Sequence, residues 1–186
     1  MLLYHGTSFE SYEQIKREGF KPETPTWNVS EDDKTYFYTI DKMMSSECLD
    51  DEEEAQQMAI TRAFESAQIT AALQKSLANK IVVIEIEIDE NKVDVCDDDS
   101  CQNMADIASY IYNSDLTTSN IKHIFIADYS PFFALYHAAS IYGNEVGYPN
   151  FDLFTQAEIN IIEAIKGTEI FIDDLLYFEW EELTEV

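Results

Sequence analysis

Apolar and polar positions alternate most clearly over Ile81–Ile88, read as IVVIEIEI. Val82, Ile84, Ile86 and Ile88 fall on one side, while Glu85 and Glu87 fall on the other. This pattern predicts a strand with one buried face and a solvated face carrying the two glutamates. Leu2–His5 predicts a short buried strand. Thr35–Ile40, dense in aromatic and β-branched residues, predicts another, and His123–Ala127 a third. Val93–Val95 fits a short partner strand, and Thr168–Ile172 and Leu175–Trp180 read as closing strands.

Helical spacing fills much of the remainder. Ser8 is placed to cap a helix that buries Tyr12 and Ile15 and stops at Gly19. The acidic run Asp50–Glu54 opens a long helix, where the helix dipole favours negative charge, and Ile69, Leu73 and Leu77 form a stripe at i, i+4, i+8. Cys101 to Tyr112 reads as helical, with Met104, Ile107, Ala108 and Ile111 on one face. Ser130 and Pro131 start a further helix that ends near Gly143. Thr155 and Glu158 form a capping box before Ile159, Ile162 and Ile165, and Gly167 ends that helix. Lys21 to Asp33 and residues 144–154 read as loops. Strands interleaved irregularly with helices, without repeat or linker, predict one α+β domain over residues 1–186.

Composition narrows the class. The 186 residues are 46% hydrophobic and 13% aromatic, too apolar for a disordered acidic tail. No apolar run reaches the roughly 18 residues a membrane helix needs, and His5 and Gly6 interrupt the N-terminus before a signal-peptide core can form. Three cysteines, an odd number, argue against a disulfide framework and for a reducing, cytoplasmic setting. The net charge of −26 repels nucleic-acid backbones from most of the surface. Residues 1–42 hold five bases against eight acids, so an anion meets least repulsion in this N-terminal quarter. Cys96-Asp97-Asp98-Asp99-Ser100-Cys101 matches no zinc or calcium module and reads as a solvated turn, so no metal is expected. His123 and His137 lie in apolar segments and read as core histidines.

Three segments carry candidate chemistry: Tyr4-His5-Gly6-Thr7-Ser8, Thr35-Tyr36-Phe37-Tyr38-Thr39 and Thr168-Glu169-Ile170-Phe171-Ile172. A histidine at a strand end can hydrogen-bond a ligand hydroxyl. Gly6 has no side chain to block a close backbone approach, and Thr7 offers a hydroxyl. Tyr36 and Tyr38 share one face of their strand, and either could stack on a flat ring. A fixed carboxylate such as Glu169 can oppose positive charge that develops in a transition state. Together the segments resemble the ADP-ribosyltransferase superfamily in its His-Tyr-Glu branch, which includes poly(ADP-ribose) polymerases, diphtheria-type toxins and small rifampin-modifying enzymes. The His-Gly-Thr start and the Glu-Ile-Phe-Ile strand are the most similar parts, and the pattern aligns better with Tyr36 than with Tyr38. Residues 42–165 match only in the order of elements.

The resemblance implies a split mixed β-sheet core with flanking helices. It also implies a triad of His5, Tyr36 and Glu169, and NAD as substrate, held by His5, Gly6, Thr7, Tyr36 and Tyr38. The activity it implies is transfer of ADP-ribose to a macromolecule with release of nicotinamide, as in toxins and phage–host conflict effectors. The acidic surface favours a protein acceptor with a basic surface, with RNA or DNA as further options. Two other readings follow from the same residues: an inactive module of this fold that mimics nucleic acid or grips a basic partner, and an RNA 2′-phosphotransferase. The latter needs more basic residues than the 11 present.

Overall fold

The computed structural model describes residues 1–21, 34–95, 108–131, 155–165 and 179–183. Seven strands form a single sheet flanked by helices, an α+β arrangement. In chain order the elements are β1 (Leu2–Ser8), α1 (Phe9–Glu18), β2 (Lys34–Thr39), α2 (Ile40–Ser46), α3 (Glu52–Leu73), β3 (Lys80–Glu87), β4 (Asp94–Val95), β5 (Ala108–Tyr112), β6 (Ile121–Asp128), α4 (Gln156–Ile165) and β7 (Trp180–Glu182). The strands lie side by side in the order β4-β5-β2-β1-β3-β6-β7, and every ladder among the described residues is antiparallel. No helix among them is long and apolar enough to cross a membrane.

The helix ends follow their sequence signals. Ser8 caps α1 by accepting the Ser11 amide at 3.1 Å, and Gly19 ends it at φ 80°, a left-handed backbone that costs glycine no strain. Asp51 accepts the Glu54 amide at 2.9 Å at the start of α3, behind three glutamates in its first turn. The capping box before α4 is formed: the Thr155 amide reaches Glu158 at 2.7 Å, and the Glu158 amide reaches the Thr155 hydroxyl at 3.3 Å.

The sheet has an apolar core on each face. One holds Leu3, Phe37, Val82, Ile84, Ile86, Ile111, Ile124 and Ile126 beneath Tyr12 and Ile15 of α1. The other holds Tyr4, Tyr38, Ile81 and Val83 beneath α3. The stripe that α3 lays on the sheet is Ala55, Ala59, Ala63, Ala67 and Ala71, and the expected Ile69 is not part of it. Ile69 is buried, but Leu77 lies beyond the helix and is 97% exposed. An alanine stripe lets the helix axis approach closely. At Gly6 the approach is so tight that a methyl group would overlap the Ala63 carbonyl oxygen and stand 3.0 Å from the Ala67 amide nitrogen.

Other expectations are corrected. Residues 108–112 form strand β5, not the end of a helix, because Tyr36 and Phe37 of β2 give Tyr110 and Ser109 a ladder partner. A backbone paired along its whole length outweighs local helical spacing. β1 runs on to Ser8 instead of ending at His5, since β3 pairs with it at every position. Glu85 is buried, 4% exposed, because the sheet is covered on both faces; only Glu87 of the pair is exposed. The 96–101 turn, the Ser130–Gly143 helix beyond Pro131, His137, the Thr168–Ile172 strand and most of the 21–33 loop lie outside the described residues.

Gly6→Ala is expected to cost about 3 kcal/mol or more, because a backbone carbonyl cannot give way as a side chain does. Denaturant unfolding measures this. Adding Ala63→Gly should not restore stability, since the obstacle is the Ala63 carbonyl and not its methyl group. A rescued double variant would overturn this account.

Candidate functional site at a fork in the sheet

β1 pairs with β3 from Leu2 to Ser8 but with β2 only at Leu3–Thr39 and Tyr4–Tyr38. Beyond these two positions the strands separate. The β1 arm is pinned by Gly6 beneath α3 and by Gln74, whose side-chain oxygen accepts from the Ser8 and Ser11 hydroxyls. The β2 arm follows β5, pairing with it from Lys34 to Tyr38, and the Thr35 hydroxyl donates to Asn113. The sheet is thus split into halves, β4-β5-β2 and β1-β3-β6-β7, joined at one end of β1.

His5 bridges the opening. Its Nδ1 lies 2.9 Å from the Tyr36 carbonyl oxygen. A carbonyl can only accept, so Nδ1 carries the proton. Burial pushes the His5 pKa below its ordinary value, against a smaller upward pull from the Tyr36 carbonyl. The ring is therefore neutral at pH 7, and Nε2 presents a lone pair that no described residue takes up. Phe37, centred 5.5 Å away, and Phe20 at 6.4 Å wall the ring.

The candidate residues do not gather on one face. Strand alternation puts His5 with Phe37 on the α1 side and Tyr36 with Tyr38 on the α3 side. His5 therefore meets Tyr36 through its backbone, and the aromatic ring beside His5 is Phe37. Tyr38 is buried, 6% exposed, with its hydroxyl 3.5 Å from Ser66 and its pKa pushed up to about 12, chiefly by burial. Tyr36, by contrast, is only partly buried and packs against the core under α3. The Tyr36 hydroxyl is buried without a hydrogen-bond partner, and such a group carries a free-energy cost until something satisfies it. Gly6 is a packing glycine rather than an open approach, and Thr7 is buried within β1, 3% exposed. Both corrections follow from β1 continuing past His5. Glu169 lies outside the described residues.

A second polar cluster sits across β1. Gln56 donates to the Tyr4 hydroxyl at 2.8 Å. Burial, and then the nearby Glu85 charge, push the Tyr4 pKa well above its usual range. His123 lies between Glu85, at 3.8 Å, and Glu182, to which it is hydrogen-bonded; it is half-exposed rather than a core histidine. Among the described residues no three His, Cys, Asp or Glu side chains are arranged to hold a metal ion. Sequence reasoning assigned no site role to Phe37 or Gln74 and placed Glu85 on a solvated strand face. Phe37 alone carried a signal, because it alternates with Tyr36 and Tyr38 and must share the face opposite to theirs.

No family model, curated protein or solved structure matches the chain.

The depressed His5 pKa makes a signed prediction. Between its ordinary value of 6.5 and its lower folded value, the unfolded chain binds a proton that the folded one refuses. This contribution to stability is fully present above pH 6.5 and is lost as the pH falls below it. Denaturant midpoints at neutral and mildly acidic pH should drop further for the parent than for His5→Gln, whose amide can still donate to Tyr36 but does not titrate. Equal drops would place the His5 pKa at its unfolded value.

Proposed function

We propose that the protein transfers ADP-ribose from NAD to a macromolecular acceptor and releases nicotinamide. The observation that supports this reading best is the fork: a sheet whose β1 and β2 pair at only two positions, with a neutral histidine bridging them on one face and an unsatisfied tyrosine hydroxyl on the other. These are the two strands that carry the resemblance. The chain's own chemistry fits a ligand rich in hydroxyls and carbonyls. His5 Nε2 accepts a hydroxyl proton, and the Tyr36 hydroxyl gains the partner it lacks. Because the two rings open on opposite faces, a ligand using both passes edge-on between the diverging strands.

NAD supplies a C–N glycosidic bond that breaks with its electron pair leaving on nicotinamide. Glu169 is assigned to oppose the positive charge left on the ribose, which is worth most where it acts only in the transition state. The acceptor then bonds to that carbon and loses a proton. With 37 acids against 11 bases, the charge of the whole chain favours a basic protein as acceptor.

Tyr36→Phe separates ligand binding from folding. Removing an unpartnered buried hydroxyl should leave thermal stability equal or higher, while NAD affinity falls about tenfold. Glu169→Gln should keep NAD affinity but lose on the order of 100–1,000-fold in nicotinamide release. A parent that does not bind NAD in calorimetry would sink the reading. A parent that binds NAD without releasing nicotinamide on any basic protein would leave a binding module in its place.

A further inference from the structure

The face of β5 that Tyr36 shares carries a second aromatic surface, with Tyr110 packed partly against the core under α3 and Tyr112 nearer the rim. Tyr110 and Tyr112 project from the same face of β5, their rings edge to face at 5.8 Å, and Tyr112 is 42% exposed. Ladder register fixes their neighbours. Tyr110 stands opposite Tyr36 on one side and Asp94 on the other, and Tyr112 stands opposite Lys34. β4 supplies only two residues, so Tyr112 lies past the end of its ladder. The Lys34 ammonium lies over this surface, 4.4 Å from the Tyr110 ring centre and 5.6 Å from that of Tyr112. The geometry is that of a cation held by π faces, where the negative ring quadrupole meets positive charge. The Asp94 carboxylate lies close enough for its charge to raise the Tyr110 pKa, behind the larger effect of desolvation. The surface thus offers two π faces and one carboxylate to a cation.

We propose that the Tyr110–Tyr112 face with Asp94 is a docking surface for an arginine-bearing segment of a basic partner protein, and that Lys34 occupies it until the partner arrives. Three observations converge. The rings already hold a cation in this structure. The chain as a whole carries −26, so cationic segments are drawn toward it. Asp94 is exposed in the same cross-strand row as Tyr110, placed to accept from a guanidinium stacked on the rings. Arginine competes well for such a site. Its planar guanidinium is more weakly hydrated than an ammonium, stacks flat on tyrosine and still donates in its plane to a carboxylate. This surface is independent of the fork chemistry and stands whether or not the protein turns over NAD.

The test is a titration of the full chain with an oligo-arginine peptide, followed through the ring resonances of Tyr110 and Tyr112. Work at about 1 M salt, where screening reaches only about 3 Å, suppresses general attraction to the acidic surface. The ring signals of the parent should shift and saturate. Lys34→Met, which removes the competitor, should saturate at roughly two- to fivefold lower peptide concentration, and Tyr112→Ala should need about as much more. Unmoved ring signals in the parent, or a Lys34→Met variant with unchanged affinity and parental thermal stability, would overturn the proposal.

Discussion

The contact between the Gly6 backbone and the Ala63 carbonyl is the constraint on which the rest of the structure depends. It lets α3 lie almost directly on β1, and the alanines at every fourth position of α3 extend that fit along the strand. β1 is thereby fixed between the helix above it and β3 beside it. β2 has no such hold on α3 and takes its direction from β5. Two strands adjacent in the sheet but governed by different neighbours must part, and the opening between them is the candidate site. The helix that fixes β1 thus shapes the site and covers it on the Tyr36 face.

How much of this the sequence revealed depended on how local each signal was. Caps are decided within four residues, and Ser8, Gly19, Asp51 and the Thr155–Glu158 pair all stand where their chemistry placed them. Strand cores were legible too, because Val82, Ile84 and Ile86 repeat with the period of a pleat. What failed depended on partners distant in the chain. Tyr110 and Ile111 fit a helical stripe until β2 is seen to offer a ladder. Glu85 looks solvent-facing until α3 is laid over it. The stripe of α3 was misread because alanine is a weak marker of burial in a sequence, although here it marks the tightest interface. At the site itself, His5 and Tyr36 come from strands that do touch, yet sequence order could not show that their side chains part to opposite faces.

The cations of this acidic chain are spent mainly on local pairing. Lys16 meets Glu13, Arg62 meets Glu47 and Glu65, Lys75 meets Glu158, Lys80 meets Asp128 and Lys122 meets Glu87. Most of these pairs are solvent-exposed and contribute little to stability individually. Arg62 is the partial exception, more enclosed and held by two carboxylates, although its Nε finds no partner. Neutralising the chain's few bases in this way leaves the excess of acid uncompensated over the surface. His5, kept neutral inside, takes no part in that balance.

The ends of the sheet have a bearing on how the chain behaves in a crowd of its own copies. Among the described residues, β4 is two residues long with Asp94 at its start, and β7 is three residues long with Glu181 and Glu182 exposed. An outer strand this short, carrying like charge, gives an incoming strand of another copy few amide groups to pair with and a repulsive field to cross. Among the described residues, both outer strands therefore discourage edge-to-edge growth into fibrils. The same carboxylates do not repel a strand from a basic protein, so the borders discriminate between self and foreign chains by sign alone.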